Sequence, residues 1–532
     1  MSVVSASFIV FVIVLLLTYY TIGRKFQWIV LLIASAAFYL CGDWRDAIFL
    51  GVTICIQYIC ATLLDKENTA FQAEVNEKQL RGKEKTECKN RYARKKKIYL
   101  LASVIFTIGI LCYIKYTNFI IECIDSFLNR VGSGESISTL EILVPLGVSF
   151  YTFQSVGYII DVYKGKIRAE KNILKLSLFV SFFPTITQGP ILRFGDVNEK
   201  LYAYHSFDYK SLVFGLERML FGYFKKLIVA ERLAVIGGAI VDNYATNGYT
   251  GAVIFIGIFL KGLQVYMDFS GGMDIVIGLA ESLGIKLPEN FERPYLAKTY
   301  GEFWRRWHIT LGAWFMKYVF YPISLSKAFN TLSKRSKKIL GESRGRALAP
   351  SLASFITFFF IGIWHGAAWK YVAYGLWQAF FVAQRAMLED AYSYIRNKLH
   401  IDQKSKMFML FQIGRTILLV TIGRYFSFAN TLTDAIRMLK ITVANPGFQI
   451  LSFSYFCGFG LKSTDLIIMI IATLLVFGVD IFNEKGIIIR EKLYDCNLII
   501  RWAVLLIGIF AVLLLGLYGP GYDTSTFVYQ RF

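Results

Sequence analysis

The chain has 532 residues, of which 55% are hydrophobic, 16% aromatic and only 18% charged. A soluble chain of this length needs a larger charged fraction to cover its surface, so an assembly of soluble domains is excluded. The formal net charge of +21 gathers in short stretches between apolar runs, which argues against a nucleic-acid partner and marks the cytoplasmic face of a membrane protein.

Val3–Tyr20 is the first apolar run long enough to cross a bilayer. It lacks a basic leading region and a small-residue cleavage site, so it is expected to stay as a span and not to leave as a signal peptide. Trp28–Leu40 and Ala47–Leu64 follow as spans. Asp65–Lys97 is then a charged cytoplasmic excursion, predicted to be helical and to lie along the headgroups. Counting back three spans puts the N-terminus outside, Arg24-Lys25 inside and the Gly42-Asp43-Trp44 turn outside, so charge and parity agree. Ile98–Ile121, Val144–Tyr163, Ser211–Ala230 and Thr250–Phe269 continue the series.

Proline and glycine interrupt several apolar pieces, at Phe183-Pro184, Gly189-Pro190, Ser270-Gly271-Gly272 and Tyr321-Pro322. Such breaks at membrane depth need protein or a wet cavity to satisfy the freed backbone groups. Re-entrant segments are therefore predicted over Leu174–Arg193 and Met273–His308, enclosing a cavity; the same breaks read equally well as loops between spans. A basic cytoplasmic loop at 326–347 precedes Ser351–Trp364, Tyr371–Met387, Met407–Tyr425, Leu466–Phe482 and Ile499–Leu517. The expectation is an all-α polytopic membrane protein of about a dozen spans, folded as a single domain over residues 1–532. The 8 cysteines have no CxxC or metal-like spacing and read as small apolar residues, with no disulfide framework and no metal site.

Two of the 4 histidines stand beside tryptophan in apolar surroundings: His308 closes Glu302-Phe303-Trp304-Arg305-Arg306-Trp307-His308, and His365 lies in Gly362-Ile363-Trp364-His365-Gly366. An ionisable group at membrane depth is costly unless it has a task. Acyl transfer to a hydroxyl supplies one, because a base must take the hydroxyl proton as the oxygen attacks the acyl carbonyl. Histidine can accept and return that proton near neutral pH. Gly362 and Gly366 would let a substrate approach His365 closely. On the residues alone, His365 is a general base or a satisfied core histidine. Arg305 and Arg306 would hold phosphates through their planar forks, or anchor a helix with Trp304 and Trp307 at the headgroups, which is the simpler account.

The stretch Leu287-Pro288-Glu289-Asn290-Phe291-Glu292-Arg293-Pro294-Tyr295, running into Glu302–His308 and Ile309-Thr310-Leu311, resembles the signature of the membrane-bound O-acyltransferases. Within them it is similar to the bacterial alginate O-acetyltransferase type and to the relative that exports D-alanine to teichoic acids. Further matches are Pro145–Gln154 with Tyr158 and Asp161-Val162-Tyr163, Gln188–Phe194, Asp268-Phe269-Ser270-Gly271, Gly362–Trp369 and Phe527–Phe532, so the resemblance covers nearly the whole chain. It implies a tunnel through a helical disc, with His365 as the base and His308 nearby. Trp304, Arg305, Arg306, Trp307, Trp364, Gly366, Asn290, Gln154, Arg193, Asp268 and Ser270 would line the tunnel or hold substrate. It implies no bound cofactor but an acyl thioester donor, acetyl-CoA in the alginate type, used from the cytoplasmic side of a bacterial plasma membrane. The basic face would draw the donor's phosphates. The acceptor that the resemblance implies is an extracytoplasmic polysaccharide. No Gly-x-Ser-x-Gly elbow is present, so a serine relay would come from a separate esterase-like partner.

The chain departs from the family pattern at Met316-Lys317, where Arg-Asp is frequent, at Phe428, where many members have Arg and this chain has Arg424 four residues earlier, and at Met273. Two other functions stay open: D-alanyl transfer from a carrier protein to teichoic acid, and a transporter or flippase using Asp161, Asp268 and Asp274 as intramembrane carboxylates.

Overall fold

Apolar runs with a polar residue ahead of them become capped helices. Ser5 accepts the Phe8 N–H at 3.2 Å to start α1 (Ala6–Thr21), and such caps satisfy amides that have no partner inside the helix. The computed structural model describes residues 2–132, 136–448 and 452–518, and the Phe527–Phe532 motif lies outside them. No strand occurs among the described residues; Phe291 and Trp307 form an isolated antiparallel bridge. The chain divides into two compact units, Met1–Gly215 with Val276–Pro288, and Leu216–Ile275 with Glu289–Phe532.

In the first unit, α1 is followed by α2 (Gln27–Leu40), α3 (Asp46–Glu77), α4 (Gly82–Val131), α5 (Val148–Tyr163), α6 (Ile173–Ser181), α7 (Phe183–Ile186) and α8 (Phe194–Tyr202). At 1.5 Å per residue, α3 and α4 run roughly 48 and 75 Å, well beyond the roughly 30 Å hydrocarbon layer. Asp65–Lys97 is thus helical as expected, but it prolongs the two spans as a hairpin and is not a separate helix laid along the headgroups. Where α3 and α4 pack, Gln57 donates to the Thr107 hydroxyl at 2.9 Å and accepts from Ser103 at 3.1 Å. Interhelical polar pairs of this kind substitute for the water that lipid does not supply. Leu174–Arg193 is broken as expected: α6 stops at Phe182, Pro184 sits in the first turn of α7, and 187–193 are not helical.

Helix α9 (Tyr209–Tyr223) leads into a π-helical turn at Phe224–Ala230, then α10 (Glu231–Asp242) and α11 (Gly251–Ser282). The π-turn is defined by the Glu231 N–H reaching the Lys226 carbonyl, five residues back. The expected break at Ser270-Gly271-Gly272 does not occur, because α11 runs straight through it. Gly271 serves a crossing instead. A Cβ on Gly222 would lie 2.5 Å from the Gly271 carbonyl oxygen, and one on Gly271 would lie 2.8 Å from that of Gly222. Met273 is accordingly helical, and the irregular chain begins only after Ser282.

The second unit continues with α12 (Tyr300–Arg306), α13 (Ile309–Phe315), a second π-turn at Met316–Phe320 and α14 (Tyr321–Ser324). Then come α15 (Lys327–His365), α16 (Trp369–Met387), α17 (Glu389–Lys398), α18 (Lys406–Phe428) and α19 (Leu432–Ala444). The last helices are α20 (Phe453–Cys457), α21 (Ser463–Glu484), α22 (Ile489–Tyr494) and α23 (Leu498–Leu515). The basic stretch 326–347 is helical, capped by Ser326 and bent at Gly341, whose φ is 80°. Beyond α23 the Leu517 N–H donates to the Leu227 carbonyl of the first π-turn at 2.9 Å.

Among the described residues, seven helices are long and apolar enough to cross a membrane: α3, α4, α11, α15, α18, α21 and α23, with α1 a shorter apolar helix. The remaining expected spans at Trp28–Leu40, Ser211–Ala230 and Tyr371–Met387 are helical too, and Val144–Tyr163 is helical from Val148, but these are shorter or more polar than those seven. On α23 Leu514 is 77% and Ile507 68% exposed, the outward apolar surface that lipid covers. The protein is an all-α, multi-pass membrane protein.

Candidate functional site

His308 is held by a short piece of extended chain. The Glu292 N–H bonds the Arg306 carbonyl at 2.9 Å and the Ile309 N–H bonds that of Asn290 at 3.0 Å, flanking the Phe291–Trp307 bridge. Helix α12 ends against this pairing. Its start is fixed by Thr299, which accepts the Glu302 N–H at 3.1 Å, while the Glu302 carboxylate accepts the Lys298 N–H at 2.9 Å. Between α12 and α13, His308 adopts φ 46° and ψ 54°. This left-handed conformation costs energy in a residue with a Cβ and persists where the surroundings enforce it.

Asn290, fully buried, does the enforcing. Its Oδ1 accepts the Thr310 N–H at 3.0 Å, the Thr310 hydroxyl at 2.9 Å and His308 Nδ1 at 3.1 Å, while its amide donates to the Met273 sulfur at 3.3 Å. A backbone N–H can only donate, so the atom facing it must be the amide oxygen. His308 Nδ1 therefore carries the proton, which leaves Nε2 as the basic nitrogen.

His365 is the last residue of α15 and 9% exposed. Its ring lies 5.0 Å from Trp364 and edge-on to Tyr374 at 5.4 Å. Trp364 is also 6.3 Å from His308, so both imidazoles touch the same indole, and Phe269 packs edge-on to His308 at 4.9 Å. His365, Trp304 and Trp307 together line two cavities, of about 40 Å³ and about 30 Å³. Tyr371, Tyr374 and Arg424 complete the first, and His308, Leu311 and Phe358 the second. Each exceeds the roughly 10–15 Å³ that one water needs. His365 thus borders both cavities. No carboxylate among the described residues lines either one.

The remaining expected site residues divide. Trp304 is steered by Gln378, whose Oε1 accepts its indole N–H at 3.1 Å and the Tyr300 hydroxyl as well. Arg305 is exposed, and the Arg306 fork is occupied by Glu484, at 2.9 and 3.0 Å, and by Glu302 at 2.8 Å. Neither arginine lines the two cavities. Asp268 pairs with buried Lys226, and Ser270 accepts from Lys225 at 3.1 Å, so both hold the π-turn to α11. Asp274 pairs with Lys225 and Arg218, so these two candidate transporter carboxylates are already neutralised. Gln154, Arg193 and Asp161 belong to the other unit. There Gln154 is buried on α5 and Arg193 pairs with Asp196 at 2.6 Å.

The close approaches expected at the two glycines are made by protein. A Cβ on Gly362 would lie 2.2 Å from the Cα of Gly375 on α16, and one on Gly366 would meet the Tyr371 ring at 2.3 Å. The sequence reading missed Tyr371, Tyr374 and Gln378, and gave Arg424 no part in the site. The Lys225-Lys226 pair within an apolar run was a readable sign of the buried ion pairs. At the departure noted for Phe428, both Phe428 and Arg424, one turn earlier on α18, line the larger cavity.

Residues 167–334 match the model of MBOAT, the membrane-bound O-acyltransferase family, a span that takes in Asn290 and His308 but stops short of His365. A probable alginate O-acetylase of Pseudomonas syringae pv. tomato is 31% identical over 478 residues, 89% of this chain and 80% of that one. A peptidoglycan O-acetyltransferase of Helicobacter pylori is 27% identical, covering 68% and 67% of the two chains. A teichoic acid D-alanyltransferase of Bacillus subtilis is 29% identical, covering 44% and 57%. Similarity of this extent, on a helical membrane fold with paired buried histidines, places the protein in the membrane-bound O-acyltransferase family and makes it an O-acyltransferase.

Proposed function

We propose that the protein passes an acetyl group from a cytoplasmic thioester, acetyl-CoA, through the membrane to a hydroxyl of an extracytoplasmic polysaccharide, with His365 as the general base. The observation that carries this reading is that His365 lines two cavities, together with Trp304 and Trp307. A thioester brought from one side and a hydroxyl from the other would meet at that ring. Only the small acyl group need enter the apolar interior; the charged donor stays at the surface, drawn there by the basic cytoplasmic face. His365 takes the hydroxyl proton as the oxygen attacks and returns it to the departing sulfur. His308, with Nδ1–H held by Asn290, presents its basic nitrogen as a second proton acceptor. The acceptor class is supported by relatives named for alginate and peptidoglycan. An extracytoplasmic esterase-like protein would receive the acyl group where a serine relay is used. The orientation consistent with the basic segments has the N-terminus outside a bacterial plasma membrane.

D-Alanyl transfer is the second reading, supported by the teichoic acid relative. The cavity itself favours acetyl: it carries the Arg424 guanidinium and no carboxylate among the described residues, a poor setting for an alanyl ammonium. The test is isotope-labelled acetyl-CoA given to inverted vesicles. Label is expected on the extracytoplasmic acceptor with the parent protein, and none with His365→Gln expressed at the parent level. Label retained by that variant overturns the role of His365; label delivered only from a D-alanyl carrier overturns the acetyl reading.

A further inference from the structure

Arg424 has no role in the scheme above, yet it is 6% exposed and lines the same cavity as His365. Its surroundings are neutral. Nη1 donates to the Tyr295 hydroxyl at 2.6 Å, and the guanidinium carbon stands 5.7 Å from the Tyr295 ring centre and 5.3 Å from that of Trp307. No carboxylate among the described residues pairs with it, whereas several other buried cations of the same unit are matched: Arg218 and Lys225 with Asp274, Lys226 with Asp268, Arg232 with Asp465. Aromatic faces offset part of the cost of burying a cation, but a charge removed from water without a counter-ion remains expensive. A guanidinium has five N–H donors, and a single phenol leaves most of that fork to be met from the cavity.

We propose that Arg424 is a catalytic residue that holds the acyl carbonyl oxygen as it becomes negative. This rests on the acyl-transfer reading of the His365 cavity. When the acceptor oxygen attacks the thioester carbon, the C–O bond forms and the carbonyl π electrons move to oxygen. The acceptor proton goes to His365. Collapse of the tetrahedral species restores the carbonyl, breaks the C–S bond and sends the proton from His365 to the thiolate. The negative oxygen exists only between those events. A fixed donor aimed at it therefore stabilises the transition state more than the bound substrate. Tyr295 acts through Arg424, holding one nitrogen so that the fork keeps its aim, and is a positioning residue.

The test uses the full chain in membranes, with labelled acetyl-CoA as donor and rates normalised to folded protein. Arg424→Gln keeps a donor for Tyr295 but loses the charge, and is expected to lower kcat by about 10²–10³ with KM for the donor little changed. Arg424→Lys should retain more activity than Arg424→Gln, and Tyr295→Phe should lose less than either. Added guanidinium ion should restore part of the rate to Arg424→Ala and none to His365→Gln. If Arg424 only braces Tyr295, the substitutions will lower thermal stability together while kcat per folded molecule stays at the parent value, and the proposal falls. Where Arg424→Gln does not fold, Arg424→Lys and Tyr295→Phe decide by the same split between kcat and stability. A parent protein that transfers acetyl and needs His365, but tolerates loss of Arg424, overturns this inference and leaves the acyl-transfer reading standing. A parent that transfers neither acetyl from acetyl-CoA nor D-alanine from its carrier protein overturns both.

Discussion

At the scale of single residues, the two candidate histidines stand out in the sequence because each follows a tryptophan in apolar surroundings, where an ionisable ring is costly. Their supports do not. Gln378 reaches Trp304 across 74 positions and Tyr295 reaches Arg424 across 129, separations at which spacing along the chain carries no signal. Of the arginines beside His308, Arg305 is exposed and the Arg306 fork is engaged by Glu484 from 178 residues away, a partner that spacing along the chain does not reveal. Asn290 has the most concentrated single role, three donors on one oxygen. Asn290→Ala is expected to lower unfolding stability by about 1–3 kcal/mol through stranded donors, and to cut acetyl transfer by releasing His308. Thermal unfolding in detergent beside a transfer assay measures both. A variant that melts with the parent would show that the Phe291–Trp307 pairing holds the turn unaided.

At the scale of elements, hydropathy located the helices but misjudged their interruptions. Glycine was read as a break at 270–272, whereas a helix that crosses a neighbour at close range needs glycine and stays helical. The same physics joins α15 to α16, where Gly362 faces Gly375, and this crossing sets how His365 approaches Tyr374. Gly362→Leu should force the helices apart, costing about 1–3 kcal/mol or more of stability and reducing transfer by displacing His365. Detergent melting and activity per folded molecule check it; unchanged values for both would mean that the crossing tolerates a side chain. The π-turns at 224–230 and 316–320 left no mark in the pattern. They differ from α-helix by the reach of a backbone bond, and no residue type announces that difference.

At the scale of the whole molecule, composition excluded a soluble protein, because apolar surface of this extent has no place in water, and the length of the apolar runs pointed to helical spans. The number of crossings was less legible: helices α2, α5, α9 and α16 run 14, 16, 15 and 19 residues, near the lower limit for spanning. The sided distribution of Lys and Arg makes a topological prediction. In a background without native cysteines, Lys89→Cys and Lys338→Cys should react with an impermeant maleimide only in inverted vesicles, and Trp44→Cys only in intact cells. Lys89 labelled from outside would reverse the orientation. One joint gives the fold an unusual freedom. The amide of Leu517 closes onto the carbonyl of Leu227, main chain to main chain, so the bond itself asks nothing of either side chain, and the constraint on Leu227 comes from its burial, at 5% exposed. Only proline at 517 would unclasp it, and an ancestral record of substitutions at the two sites would carry no trace that they meet.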